Sequence, residues 1–173
     1  KAKQILSKAI NELVNDRIGI IVYAGKAYAQ LPLTTDYTAA KMFLRTINTD
    51  MVPTQGTDIG NAVEMALSYF ETGKEQNRVL FILSDGESHE EGALEASELA
   101  SENGILIHAI GLGTLDGGPI PIKRNGVIKG YKKDNEDKVV VTKMDPAMLQ
   151  QLALSIEGNF IDGMNTKETI DFI

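Results

Sequence analysis

The sequence predicts an α/β fold in which a mostly parallel sheet carries helices on both of its faces. Apolar runs within residues 18–24, 78–84 and 105–110 are typical of strands that are buried on both sides. Segments with apolar residues at helical spacing alternate with these runs along the chain. The 173 residues, of which 43% are hydrophobic, suit a single domain with a core of ordinary size.

The helices are predicted from their apolar stripes and from the residues at their ends. Residues 1–14 place their apolar side chains on one stripe, and Asn15 and Asp16 follow as the helix end. Thr35 or Asp36 is expected to cap a second helix, which runs to about Ile47. Four further helices are expected: Asp58 to Gly73, Glu90 to Asn103, Pro146 to Gly158, and one that begins at Thr166.

Two further strands complete the predicted sheet. Tyr28 to Leu33 can return antiparallel to 18–24, and Pro32 indicates an edge strand because proline has no N–H for a ladder hydrogen bond. A short last strand is expected at 159–162. Because the chain has no internal repeat, linker or low-complexity segment, residues 1–173 are interpreted as one domain with one insert.

Residues 114–143 form that insert, since they interrupt the alternation of strands and helices. The pair Asn125-Gly126 is a strong hairpin signal, so the stretches on its two sides, 120–123 and 127–131, are expected to pair. Residues 138–142 are available as a third strand.

Composition excludes several classes of function. The chain has no cysteine, which excludes disulfides, thiolate metal sites and cysteine nucleophiles. Lys123 to Lys143 holds seven basic and three acidic residues, and the rest of the chain holds 10 basic and 21 acidic ones. This acidic body argues against nucleic acid as the main partner, and the basic segment by itself favours a solvated hairpin. No apolar run approaches the ~18–20 residues of a membrane span.

Asp85 and Thr57 are the candidate site residues. The run at 78–84 ends abruptly in Ser84-Asp85-Gly86-Glu87, and ligands of open α/β sheets bind outside the carboxyl ends of the strands. Thr57 lies in a glycine-containing loop at the start of a helix, where backbone N–H groups and the helix dipole are exposed. A hydroxyl and a carboxylate are hard-oxygen ligands that suit Mg²⁺ or Mn²⁺. The spacing alone leaves open that Thr57 only caps its helix and Asp85 the next one.

Other patterns indicate chemistry less well. Gly111 to Gly117 follows a strand like a dinucleotide loop, but the insert comes next instead of the helix that would hold a pyrophosphate. His108 lies inside a predicted strand and is expected to be a core residue. His89, beside Glu90 and Glu91, lacks the H-E-x-x-H spacing of a zinc site and is expected at a solvated helix start. The chain has no G-x-S-x-G elbow and no P-loop.

Two segments resemble a known family. The chain is similar to the von Willebrand factor A domain at Gly56–Ala62 (G-T-D-I-G-N-A) and, about 20 residues later, at Leu80–Glu87 (L-F-I-L-S-D-G-E). The resemblance implies a Rossmann-like, doubly wound sheet with strand order 3-2-1-4-5-6. It also implies a metal-ion-dependent adhesion site built from a D-x-S-x-S loop after the first strand, a threonine and an aspartate. By this resemblance Thr57 is the threonine and Asp85 the aspartate.

The insert resembles that of one branch of the family. Three segments are similar to aerotolerance-type, BatA/BatB-like bacterial A domains, namely 119–122 (P-I-P-I), 130–134 (G-Y-K-K-D) and 139–143 (V-V-V-T-K). The resemblance implies a non-enzymatic protein-interaction module that binds a partner carboxylate through Mg²⁺ at Thr57 and Asp85. It further implies a soluble domain of a protein anchored in the bacterial inner membrane, with other Bat-type proteins or a MoxR-type ATPase as partners.

The chain departs from the family in one respect. It contains no D-x-S-x-S and no initiator Met, and the first strand of the family would precede Lys1. We therefore expect an N-terminally truncated domain whose metal site is incomplete, with little or no Mg²⁺ bound. The missing strand would be the central one, between 18–24 and 78–84, which leaves two apolar strand edges exposed. We expect rearrangement, strand exchange or homodimerisation to close this gap.

Two alternatives remain open from the residues alone. In the first, Asp85 is a phosphoacceptor or a Mg²⁺ ligand for phosphoryl transfer, although such sites need several clustered acids and usually a lysine. In the second, the domain is a scaffold that binds its partners through the hairpin 119–142.

Overall fold

Helices and strands alternate along the chain as the sequence predicts, and a computed structural model describes residues 1–49, 51–54, 56–70, 77–87, 92–124, 127–134, 136–154 and 157–173. The helices are α1 (Ala2–Glu12), α2 (Tyr37–Thr46), α3 (Ile59–Tyr69), α4 (Ala93–Glu102), α5 (Pro146–Leu154) and α6 (Thr166–Phe172). The strands are β1 (Ile18–Tyr23), β2 (Ala27–Thr34), β3 (Arg78–Ser84), β4 (Ile105–Gly111), β5 (Gly118–Pro119), β6 (Pro121–Arg124), β7 (Val127–Tyr131), β8 (Val141–Thr142) and β9 (Phe160–Asp162).

The predicted helix ends are confirmed to within a few residues where the structure describes them. Helix α1 ends at Glu12 because Leu13 adopts an extended backbone. Of the two predicted caps of α2, Asp36 is the one whose side chain accepts a hydrogen bond from the helix, from the N–H of Ala39 at 2.9 Å. Four parts of the predictions fall outside the described residues, namely Gly73, Glu90, the pair Asn125-Gly126 and residues 155–156.

The strands of the main sheet fall into two groups. β1 pairs antiparallel with β2, as predicted for an edge strand that contains Pro32. The order β3–β4–β9 is parallel, with Ile82 opposite Ala109 and Ile110 opposite Ile161. Within the part of the chain that the structure describes, no ladder joins β1 to β3.

Helices cover both faces of this sheet, which confirms the predicted α/β class. Helices α1, α2 and α6 lie on one face, and α3, α4 and α5 on the other. Strand β4 shows the two faces, since successive side chains of a strand point in opposite directions. Ile107 is fully buried in a cluster with Ile59 of α3 and Leu149 of α5. The ring of His108, next along the strand, lies 4.8 Å from that of Phe172 in α6.

The insert forms a small antiparallel ribbon of its own. β6 pairs with β7, which confirms the predicted hairpin, and β5 pairs with β8. The predicted third strand is shorter than expected, since β8 holds only two residues, although Lys133 and Val139 form an isolated bridge beside it. Glycine lets the chain enter this ribbon, because Gly117 has a φ of +73°.

Candidate metal site

The ends of three strands meet at one edge of the sheet. The N–H of Asp58, just before α3, donates a hydrogen bond of 2.7 Å to the carbonyl of Ala24, just after β1. The N–H of Leu112, just after β4, donates one of 2.7 Å to the carbonyl of Ser84 at the end of β3. The first bond fixes the loop before α3 to the end of β1, and the second fixes the start of the loop after β4 to the end of β3. The edge is the carboxyl edge at which ligands of α/β sheets bind.

Thr57 lies in the loop that leads into α3 and is half-buried. Gly56 precedes it with a φ of +132°, and a Cβ there would lie 3.1 Å from the Cα of Gly25, so the tight turn requires glycine. The cap of α3 is Asp58, whose Oδ1 accepts the N–H of Asn61 at 2.8 Å. The alternative that Thr57 caps the helix is therefore wrong. Thr57 does have an interaction partner within the fold.

Asp85 follows β3 directly, as predicted, and is half-buried. Its Oδ1 accepts the N–H of Glu87 at 3.3 Å, and its carbonyl accepts the N–H of Asp145 at 2.7 Å. The N-cap of α4 is Gly92, with no side-chain cap, so the alternative that Asp85 caps the next helix is also wrong. Asp85 is held by a local turn, and like Thr57 it has a further partner in the fold.

Tyr23 is a site residue that the sequence did not reveal. Its O–H donates a hydrogen bond of 3.3 Å to the carbonyl of Leu83, so the side chain crosses from the end of β1 to the end of β3. Burial, the largest effect, raises the pKa of Tyr23 to about 12; a hydrogen bond with Ser84 lowers this pKa, and the charge of Asp85 raises it. Tyr23 is consequently a neutral hydroxyl group close to the Asp85 carboxylate.

Tyr23 also relates the two candidate residues to each other. Thr57 adjoins Asp58, which is bonded to Ala24, and Ala24 follows Tyr23 in the chain. The other end of Tyr23 lies beside Ser84 and Asp85. Both candidates therefore belong to one edge of the fold. Only the alternation of side chains in β1, together with its place next to β3, determines where Tyr23 points, and neither is encoded in a local motif.

The other acidic residues at this edge are engaged in backbone hydrogen bonds. Oε1 of Glu87 accepts the N–H of Lys143 at 3.1 Å, and Oδ1 of Asp145 accepts the N–H of Ala147 at 3.0 Å at the start of α5. Among the residues that the structure describes, no three Asp, Glu, His or Cys side chains converge as a metal-binding group.

The donor set is compatible with magnesium. Thr57 and Asp85 offer a hydroxyl and a carboxylate, which are hard oxygen ligands of the type that Mg²⁺ prefers. Mg²⁺ takes about six oxygens and is often held by one or two carboxylates together with several waters. Two protein ligands are thus compatible with Mg²⁺, and they do not form the nitrogen and sulfur set of a structural zinc site.

His108 does not contribute a side chain to this edge. His108 is a buried residue, as predicted, and its Nδ1 accepts the N–H of Asn159 at 3.0 Å. His89 lies outside the described residues. The glycine-rich segment 111–117 leads into the insert, so it lacks the following helix whose N-terminus would hold a pyrophosphate.

A family model described as the von Willebrand factor type A domain matches residues 1–152. The solved structure of an aerotolerance-related membrane protein from Bacteroides fragilis, with multiple mutations to serines, is 38% identical to this chain. It superimposes with a TM-score of 0.92 over 99% of this chain and 84% of the other. BatB from Bacteroides thetaiotaomicron is 37% identical, with a TM-score of 0.90 over 98% of this chain and 83% of the other.

Two more distant proteins complete the comparison. Proximal thread matrix protein 1 from the mussel byssus, solved with a zinc-occupied MIDAS motif, is 16% identical with a TM-score of 0.67, over 99% of this chain and 39% of the other; it shows a shared fold. An uncharacterised Borreliella burgdorferi protein is 26% identical over 164 residues. The match covers 92% of this chain and 45% of that relative, so the chain spans about half of its length. No helix in the described ranges is long and apolar enough to cross a bilayer.

Proposed function

We propose that this chain, which belongs to the von Willebrand factor type A domain family, is a non-enzymatic module that binds a protein partner through a Mg²⁺-dependent adhesion site. The observation that carries the proposal is the position of Asp85. It follows β3 at the carboxyl edge of the sheet, and the loop of Thr57 is bonded to the end of the neighbouring β1. The two hard-oxygen side chains are thereby presented at one edge.

Thr57 and Asp85 are the residues that would hold the metal. When bound, Mg²⁺ would supply a hard acceptor with an open position for an oxygen of a partner carboxylate. Asp85 contributes the charge, and the turn that bonds its Oδ1 to the N–H of Glu87 sets its orientation. Tyr23 remains neutral beside it and therefore adds no second negative charge to the site.

The site of this chain alone is expected to be weak. The D-x-S-x-S loop that the family resemblance implies has no counterpart within residues 1–173. Waters and the partner carboxylate then have to fill most of the coordination positions. A weak site of this kind loads with metal mainly when the partner is present, because a ligand that completes the coordination raises the apparent metal affinity by linkage.

We place the function in a bacterial inner-membrane-associated assembly whose other members are Bat-type proteins or a MoxR-type ATPase. Support comes from the two solved structures at 37–38% identity, one named an aerotolerance-related membrane protein and the other BatB. The placement is an inference from those relatives and from the insert, which occurs here at residues 118–142.

Metal binding by defined variants tests the proposal. With excess acetate present in place of the partner carboxylate, we expect Asp85→Asn and Thr57→Val each to weaken Mn²⁺ binding by at least about tenfold in electron paramagnetic resonance, since each removes a ligand oxygen or its charge. Asp145→Asn is the matched control, because it removes the same charge at the same edge from a carboxylate that only caps α5. Equal Mn²⁺ binding by the wild type and all three variants would exclude the proposed ligands.

The phosphoryl-transfer alternative requires a second acid beside Asp85, and Glu87 has Oε1 engaged by the N–H of Lys143. Incubation with acetyl phosphate distinguishes it from the adhesion site. We expect no increase in mass and no turnover. A phosphorylated species that disappears in Asp85→Ala would favour the enzyme and contradict the interaction module.

A further inference from the structure

The insert, residues 118–142, exposes apolar side chains on both of its faces. Six large apolar residues in it are between 44% and 61% exposed, namely Ile122, Val127, Ile128, Tyr131, Val139 and Val141. The cross-strand pairs of β6 and β7 place Ile122 and Val127 on one face, and Ile128 and Tyr131 on the other. A two-stranded ribbon is only marginally stable by itself in water, and clustered exposed apolar side chains mark interaction sites.

The charge of the insert is unevenly distributed. Its three acidic residues are engaged near one turn: Asp137 pairs with Lys133 at 2.8 Å, Glu136 with Lys138 at 2.6 Å, and Oδ1 of Asp134 accepts the N–H groups of residues 136 and 138. Three other basic side chains are exposed, Arg124 in β6, Lys129 in β7 and Lys132 directly after β7. They form no ion pair among the described residues, so the ribbon presents unneutralised positive charge beside its apolar side chains.

The free edges of the ribbon differ in their capacity to pair. β6 and β7 form a two-stranded sheet, so each has one unpaired edge among the described residues. β6 begins with Pro121, which lacks an N–H, and β5 ends with Pro119. β7, Val127–Tyr131, contains no proline, so each N–H that points away from β6 can donate at the outer edge. The outer edge of β7 is therefore the better template for an added strand.

The insert is fixed directly beside the candidate metal site. The N–H of Lys143, the residue after the insert, bonds to Oε1 of Glu87, and the N–H of Asp145 bonds to the carbonyl of Asp85. The N–H of Met144 bonds to the carbonyl of Thr114 at 3.0 Å, which closes the base of the insert. A partner that reaches Asp85 thus lies next to the base of the insert.

We propose that β7 is a docking strand for an extended acidic segment of a partner protein. The segment adds to the outer edge of β7, its carboxylates meet Arg124, Lys129 and Lys132, and its apolar side chains cover Ile128 and Tyr131. The inference rests on the proposed role in protein interaction but does not require the metal. The partner segment is therefore expected to be extended, with acidic and apolar residues in alternation.

Charge and shape favour this occupant over two others. Two copies that paired through their β7 edges would bring Lys129 and Lys132 of each copy close together, so like charges would oppose pairing at this edge. A membrane surface is bound by elements with a single apolar face, whereas the apolar side chains here lie on both faces of the ribbon. An extended segment that pairs at the edge of β7 directs its side chains alternately to both faces of the ribbon, so it can contact the apolar side chains on each.

Peptide binding to the whole chain tests the proposal. The probes are a fluorescent peptide of alternating glutamate and valine and its lysine–valine counterpart, followed by fluorescence anisotropy. We expect the glutamate peptide to bind and the lysine peptide not to bind. Replacing Lys129→Glu together with Lys132→Glu should weaken the glutamate peptide by about tenfold or more and allow the lysine peptide to bind. N-methylation of alternate amides of the glutamate peptide should abolish binding, because it removes the ladder donors.

Controls make each outcome decisive. The variant K8E/K167E makes the same charge change on exposed lysines of α1 and α6 and should leave peptide binding unchanged. Circular dichroism and Tm establish that each variant is folded. Equal binding of both peptides, or binding that N-methylation does not affect, would overturn the docking strand. So would self-association of the chain that K129E/K132E abolishes, or tighter binding to vesicles of equimolar phosphatidylcholine and phosphatidylglycerol than to the peptide.

The metal site and the docking strand can fail separately. Glutamate-peptide binding is expected to persist in EDTA and in Asp85→Asn, and its loss there would overturn the independence of β7 from the metal. If Mn²⁺ binding proves insensitive to Asp85→Asn while the peptide still docks, the metal proposal fails and the docking strand stands. If Asp85→Asn weakens Mn²⁺ binding but neither peptide binds to the wild type, the docking strand fails and the metal proposal stands.

Discussion

The hydroxyl of Tyr23 joins the pair β1–β2 to the three-stranded group β3–β4–β9. It bonds to the carbonyl of Leu83 at the end of β3, at a place where β1 and β3 share no ladder within the described chain. Tyr23→Phe removes the bond and leaves that carbonyl without this donor. We expect the free energy of unfolding, measured with urea, to fall by about 0.5–1.5 kcal/mol. Tyr28→Phe, at a more exposed tyrosine of β2, is the control and should change it little; equal losses would show that the bond contributes nothing specific.

His108 makes stability depend on pH. Burial lowers its pKa, and Nδ1 accepts the N–H of Asn159, which requires the neutral ring with its proton on Nε2. An unfolded histidine takes up a proton near pH 6.5, before the folded one does, so the unfolded state binds more protons in that range. The free energy of unfolding should therefore fall as the pH drops below about 6.5, until the folded His108 is protonated too.

Urea unfolding between about pH 7.5 and pH 5 checks this sign. His108→Gln removes the titrating group and should flatten the profile. A slope that survives in His108→Gln would assign the effect to other groups.

The N-caps of α2 and α3 contribute similarly to stability, but only the cap of α3 lies beside the candidate metal site. Asp36 caps α2 and Asp58 caps α3 with nearly the same geometry, at 2.9 Å and 2.8 Å. Replacing either with alanine should cost about 1 kcal/mol of stability, the usual value of such a cap. Only Asp58→Ala should also weaken Mn²⁺ binding, because α3 carries the loop of Thr57. If Asp36→Ala weakens Mn²⁺ binding equally, the effect is a general loss of stability.

The turn after β3 depends on glycine for two reasons. Gly86 has a φ of +80°, and a Cβ there would clash with the carbonyl oxygen of Asp145. Gly92 has a φ of +100° but has open space around the same position. Gly92→Ala should therefore lower the free energy of unfolding by the backbone cost alone, about 1 kcal/mol. Gly86→Ala should lower it by that cost and by a further contribution from overpacking of about 1–3 kcal/mol. Equal midpoints in urea would show that the turn relaxes away from Asp145.

Over the whole molecule, the sequence predicted what local periodicity and strand ends determine. The run at 78–84 identified β3 and its terminal Asp85, and Asn125-Gly126 identified the hairpin of β6 and β7. The sequence could not decide whether Thr57 or its neighbour Asp58 caps α3. Both residue types cap helices, and only the backbone conformation determines which of them is the N-cap. Tyr23 was missed because its role depends on a contact between strands far apart in the chain.

Within the residues that the structure describes, β1 and β3 each keep one edge without a strand partner. β3 is as apolar as β4, yet Val79 is 38% exposed, whereas most of β4 is buried. Unpaired N–H and C=O groups beside apolar side chains favour pairing with another chain. We expect the chain to form a strand-exchanged or edge-paired dimer, measured as solution mass by sedimentation. Val79→Lys should favour the monomer because an edge lysine opposes pairing, whereas Val14→Lys, after α1, and K129E/K132E should leave the dimer intact. A folded monomer whose β3 amides exchange slowly would contradict this prediction.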